Sequence, residues 1–178
     1  VLKTFGKYYK LTHDLEIDSS EDIVDASGNV TQARGWTPIG SGSAVGNYSV
    51  WHTFAGYFDG GGHTITGKMV PVSKPVAEDD DFYFGFFGHC SGIEKDNGDY
   101  ISPVIKNLNM AATVNLQNIP VAREYVFAGA VVGHSPNGII LLNCKNSGNI
   151  TGPVYTKNPI EANIGGIAGG VYHTTEIE

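Results

Sequence analysis

The sequence predicts an all-β protein built from stacked, repeating turns of chain, and three observations lead there. Short words recur in a fixed order. Phe84-Gly-Phe-Phe-Gly88, Gly129-Ala-Val-Val-Gly133 and Gly165-Gly-Ile-Ala-Gly169 form one limb, while Val104-Ile-Lys-Asn-Leu108 and Ile140-Leu-Leu-Asn-Cys144 form a second. Their spacing is partly conserved within the chain: Asn107 to Val132 and Asn143 to Ala168 are both 25 residues, whereas Val132 to Asn143 is 11 and Phe87 to Asn107 is 20. One connection of fixed length and one that takes insertions is how a solenoid behaves, since each turn keeps register with its neighbours while loops bulge outward. Composition agrees, with 24 Gly, 9 Tyr, 8 Phe and 41% hydrophobic residues, a mixture that suits strands and tight turns and argues against disorder.

At 178 residues the chain is expected to form a single domain over residues 1–178, large enough to bury a core. A net charge of −7 gives no electrostatic footprint for nucleic acid or an anionic membrane. No run is long enough to span a bilayer, so no membrane insertion of this segment is expected. Two cysteines do not make a disulfide framework; Cys144 aligns with Leu108 and reads as a small buried hydrophobe.

Taken in order, Tyr9, Leu11, Leu15 and Ile17 share one parity and predict a strand with one buried face over Tyr8 to Asp18. Residues 19 to 35 read as a loop, and Trp36-Thr-Pro-Ile-Gly40 closes one end of the core. Phe54-Ala-Gly-Tyr-Phe-Asp-Gly-Gly-Gly-His-Thr-Ile-Thr-Gly67 contains both limbs in sequence and is the stretch the others vary. Pro71 to Asp81 reads as a loop with two prolines and four consecutive acids, and Gly92 to Pro103 as an insertion. Val114 and Ile150 fall in matching places, and Phe86 or Phe87 is expected to stack on Val131 or Val132 and on Ile167 or Ala168. Gly67, Asn107 and Asn143 align as corners, because glycine and asparagine enter left-handed backbone at least cost. Stacked asparagines can also bond amide to amide along the stack. With Leu108 and Cys144 turned inward, Asn107 and Asn143 are expected one turn apart.

The words Trp36-Thr-Pro-Ile-Gly40, Phe58-Asp-Gly-Gly-Gly-His-Thr-Ile-Thr-Gly67, Gly129-Ala-Val-Val-Gly133 and Asn143-Cys-Lys-Asn-Ser-Gly-Asn-Ile150 resemble the GLUG-type repeats of bacterial surface proteins. The resemblance covers most of Tyr8 to Ala168, and departs from the pattern at Lys68, where Met69 takes the inward place. It implies a right-handed parallel β-helix with irregular coils and loop insertions, display outside or on the bacterial cell, and further repeats in cis. On that basis the chain is expected to be a fragment of a longer surface protein. It is read as a non-catalytic module, a spacer or an adhesive surface for glycan or host protein. The alternative is a β-helical polysaccharide hydrolase or lyase using surface carboxylates.

Candidate ligand residues are few. Glu78, Asp79, Asp80 and Asp81 can take a hard cation such as calcium through oxygen, or position two carboxylates for glycoside chemistry; the plainer reading is a solvated acidic loop. Tyr48, Trp51 and Tyr100 can stack on sugars, although large aromatics more often bury beneath their loops. Asp59, in an Asp-Gly-Gly-Gly turn, is expected to accept from turn amides and not to catalyse. His89 and His134 align after Gly88 and Gly133, but two ligands without a third make a poor metal site. No cofactor is expected. Neither a His-Glu-x-x-His motif, a nucleophile elbow nor a phosphate-cradling loop occurs.

Overall fold

The computed structural model describes residues 6–27, 29–40, 53–71, 81–98, 100–117, 125–153, 161–172 and 176–177. Every element among them is a strand, as the abundance of β-branched and aromatic residues between glycine turns requires.

Four parallel sheets recur in the same order along the chain, the stretch before residue 40 contributing strands only to the first two. The first holds β1 (Tyr8–Lys10), β5 (Tyr57–Asp59), β11 (Val104–Lys106), β16 (Ile140–Leu142) and β21 (Glu176–Ile177), paired in that order. The second holds β2 (Leu15–Asp18), then β6 (Thr64–Met69), then β12 (Asn109–Met110) and β13 (Thr113–Asn115), then β17 (Lys145–Asn146) and β18 (Ile150–Thr151). The third is β7 (Phe82–Phe84), β14 (Tyr125–Gly129) and β19 (Glu161–Gly165); the fourth is β8 (Phe87–His89), β15 (Val132–Ser135) and β20 (Ala168–Val171). Val104 pairs with Ile140 and Ile140 with Glu176, a regular interval of 36 residues. Two antiparallel hairpins stand outside this order. β3 (Ile23–Val24) with β4 (Val30–Gln32) occupies the first stretch read as a loop, and β9 (Ile93–Glu94) with β10 (Tyr100–Ile101) fills the insertion.

Period-two alternation decides which residues face inward. Phe58, Ile105 and Leu141 stack across the first sheet and are buried. Val114 pairs with Met69 on one side and, as their matching positions predict, with Ile150 on the other. Phe87, Val132 and Ala168 form another column, confirming the expected stacking. Phe87 is the hub of the aromatic core, with ring centroids 4.7 Å from Phe54, 5.1 Å from Phe86 and 5.2 Å from Phe58. Leu108 is fully buried, Cys144 half-buried against the same cluster, and Met69 is buried while Lys68 is exposed. Trp36 stacks on Phe86 and donates from Nε1 to the Gly85 carbonyl at 2.9 Å, closing that end of the core.

The glycine word of the first limb has a steric cause. Gly88, Gly133 and Gly169 form a column along which the fourth sheet backs onto the third. A Cβ at Gly133 would fall 2.6 Å from both Gly88 O and Phe84 N, and one at Gly169 would fall 2.5 Å from Ala128 N. Backbone meets backbone there, leaving no room for any side chain.

Three expectations are corrected. Tyr8 to Asp18 is two strands in different sheets, β1 and β2, turned apart at Leu11–Asp14. Phe54–Phe58 does not align with Phe84–Gly88: Tyr57–Asp59 pairs with Val104–Lys106, and Ile39 in the Trp36–Gly40 word is the residue bridged to Phe87. Gly67 is not equivalent to Asn107 and Asn143. It has φ of 92° inside β6, and a Cβ there would lie 2.1 Å from Ile17 O. The register places it one corner further on, beside Ala111–Ala112, while the corner matching Asn107 is the triple-glycine turn, where Gly62 N donates to Asn107 O at 2.8 Å.

Candidate functional site

Asn107 and Asn143 are the two non-glycine residues with positive φ among those described, at 53° and 50°. Each ends a strand of the first sheet, and their side chains join those of Asp59 and Tyr8 in one run. Asn143 Nδ2 donates to Asn107 Oδ1 at 3.0 Å, and Asn107 Nδ2 donates to Asp59 Oδ1 at 3.0 Å. Asp59 Oδ1 also accepts from Gly61 N at 2.9 Å, and Oδ2 accepts from Tyr8 Oη at 3.0 Å with Lys106 Nζ at 3.7 Å. An ionised carboxylate can only accept, so Asp59 dictates that Asn107 donates toward it and offers its own oxygen to Asn143. The ladder therefore has a fixed direction. Hydrogen bonds from Asn107 first, then from Gly61, hold the Asp59 carboxyl down at about 2. Tyr8 is raised, chiefly by its hydrogen bond to Asp59. The expectation that Asp59 satisfies turn amides holds.

The second cluster lies between the third and fourth sheets. His89 and His134 pair in register with ring centroids 5.4 Å apart. His134 also packs on Tyr83 at 4.7 Å and Phe127 at 4.6 Å, and Tyr172 meets it edge-on at 5.5 Å. The column ends at Gly170, where a Cβ would strike the Phe127 ring. His89 Nδ1 is 2.9 Å from Thr53 Oγ1, while His134 Nδ1 is buried without a hydrogen-bond partner among the described residues. Burial pushes His89 down to about 4; burial and then the charge of His89 push His134 down to about 3. Tyr172 rises to about 12, first through its 2.7 Å bond to Glu161 Oε1. Both imidazoles are neutral near pH 7, and neutral rings packed on aromatics are what a hydrophobic wall needs.

Of the acidic run, Asp81 is described: its Oδ2 accepts from Tyr83 Oη at 2.6 Å, which ties it to the edge of the histidine cluster. Glu78, Asp79 and Asp80 lie outside the described residues, as do Tyr48 and Trp51. Tyr100 contributes its backbone to β10, and its side chain is outside what is described. Among the described residues no three His, Cys, Asp or Glu side chains converge as a metal site. Cys90 is buried and free, its thiol pushed far up by burial, and Cys144 is also free.

Sequence reasoning missed the exposed tyrosines of the first sheet, Tyr8 and Tyr57, which stand 60% and 40% exposed on adjacent strands. Their shared parity, opposite that of the buried Phe58, was the available signal; Tyr9, expected to face inward, is itself 39% exposed. Comparison of the chain with protein-family models, with curated proteins and with solved structures finds no match.

Proposed function

We propose that the four parallel sheets are the faces of a right-handed β-helix, each pass of the chain being one coil, and that the chain is a non-catalytic module of a bacterial cell-surface protein related to the GLUG-type repeats. Its work is to space and to present an adhesive surface outside the cell. The chain's revisiting of the same sheets in constant order, at an interval of 36 residues over the last passes, supports the coil reading.

The observation that carries the non-catalytic reading is geometric: the Asp59 carboxylate is taken up by Asn107, Gly61 and Tyr8, and His89 and His134 are packed among aromatic rings. A general acid or base works best with a pKa near the operating pH. Here Asp59 is held at about 2, His134 at about 3 and His89 at about 4, each driven away from neutrality by the contacts that build the stack. These groups serve the fold. The test is incubation of the chain with bacterial, plant and host polysaccharides, read for reducing ends and for unsaturated products. No product above the blank is expected; turnover abolished by Asp81→Asn would establish the hydrolase or lyase instead.

A further inference from the structure

The outward face of the first sheet is unusual for a face turned to water. Phe58, Ile105 and Leu141 occupy its inner side, so Tyr57, Asp59, Val104, Lys106, Ile140 and Leu142 occupy the outer one. Tyr8 and Tyr57 begin a column that continues into Val104 and Ile140, both half-buried. Beside it runs a second column, Lys10, Asp59 and Lys106, whose charges alternate in sign. At the end of these strands stands the asparagine ladder, with Asn143 exposed. Two phenol rings, an aliphatic continuation and a line of hydrogen-bonding groups thus share one surface. Contiguous apolar surface rimmed by polar groups marks an interaction site.

From this juxtaposition we infer that the outer face of the first sheet is a binding platform for a neutral, extended β-linked glycan lying across the strands. The inference rests on the adhesive reading above and gives it a site and a ligand class. Three features select this occupant. Neighbouring strands are about 4.8 Å apart, close to the advance of one sugar along an extended β-linked chain, so successive rungs meet successive rings. The C–H face of a pyranose packs on an aromatic ring, while its hydroxyls need acceptors and donors at the rim; Asp59, Lys106 and the amides of Asn107 and Asn143 supply both. The alternating Lys10–Asp59–Lys106 column presents no single sign, and a chain of net charge −7 disfavours a polyanion. The phenol of Tyr8 is held by Asp59. That contact limits the freedom lost on binding.

The experiment titrates β-1,4-linked hexaoses of glucose, xylose and N-acetylglucosamine into the folded chain, by calorimetry and by NMR of the tyrosine rings. At least one hexaose should bind, with shifts confined to Tyr8, Tyr57 and the adjoining Val104 and Ile140. Tyr57→Ala should weaken that binding about tenfold, the loss of one well-packed aromatic contact, while Tyr172→Ala, just past the last strand of the fourth sheet, leaves it unchanged. Tyr57→Leu keeps apolar bulk on the strand and separates loss of stacking from loss of fold; it should also weaken binding. No binding of any hexaose at millimolar concentration overturns the inference. So does binding indifferent to Tyr57→Ala and Tyr57→Leu, or a self-associated chain that Tyr57→Ala turns into a monomer, which would assign the face to a second copy. Reducing ends measured in the same samples keep the two readings apart: release of sugar defeats the non-catalytic reading, whereas absence of binding defeats the platform alone.

Discussion

Replacing Asn107 separates the two things this residue does. Its backbone sits at φ of 53°, and its amide joins Asp59 to Asn143 through two bonds of 3.0 Å. Alanine removes both bonds and keeps the left-handed backbone. A hydrogen bond to a charged group is worth about 1.5–3 kcal/mol and one between amides about 1 kcal/mol. The site is only partly buried, so water re-solvates what is left and the lower end applies. Left-handed backbone costs an ordinary L-residue about 1–2 kcal/mol, of which asparagine recovers a share. Together these give about 3 kcal/mol for Asn107→Ala. Asn107→Gly loses the same bonds without the backbone strain and should be about 1 kcal/mol more stable than the alanine variant, even after glycine's entropic cost. Urea unfolding of the three proteins at pH 7 measures both differences. Alanine as stable as glycine would refute the strain at the corner, and losses under about 0.5 kcal/mol in both variants would refute the ladder as a source of stability. Asn107→Asp adds a sign test. A second carboxylate beside Asp59 raises the folded-state pKa of the pair above the unfolded value, so this variant should lose most at pH 7 and recover part of the loss as pH falls toward 4.

Acid stability should report His89 and His134. Their folded pKa values, about 4 and about 3, lie below the unfolded value, so stability is full above pH ~6.5 and falls as pH drops through ~6.5 toward 4 and 3. Each histidine contributes a slope of up to about 1.4 kcal/mol per pH unit in that window, and His134→Phe should remove about half of it while costing little at pH 7, because it replaces the unpartnered Nδ1 by carbon. Thermal melts of wild type and variant from pH 7 to 4 check this; equal acid sensitivity would count against it. Asp59 acts in a lower window, with stability lost only as pH falls from ~4 through about 2. Gly133→Ala should cost about 3 kcal/mol or prevent folding, because its Cβ meets backbone at 2.6 Å on two sides, whereas Gly98→Ala, with open space around it, should cost only the penalty of its positive φ. Urea midpoints for the pair would decide whether the glycine column is a steric requirement.

The sequence by itself determined what local chemistry can specify. The glycine words of the third and fourth sheets, the asparagine corners, the match of Val114 with Ile150 and the inward turn of Met69 are legible because strand parity and left-handed backbone leave marks on single residues. The ladder through Asp59 was legible in part: stacked asparagines were expected, and their carboxylate anchor was not. Only the tertiary structure decided which residues are neighbours across passes of the chain. Gly67 carries the residue type of a corner, yet the triple-glycine turn takes the place opposite Asn107; no local signal distinguishes two glycine corners a few residues apart. Phe54–Phe58 resembles the Phe84–Gly88 word in composition, yet its Tyr57 and Phe58 pair with Val104 and Ile105, and its Phe54 is bridged to Cys90. The tyrosines of the outer face and the unpartnered nitrogen of His134 emerge for the same reason. Exposure and partnership are set by the register between strands separated by 36 residues or more in the chain, and that register is fixed by the packing of the whole stack.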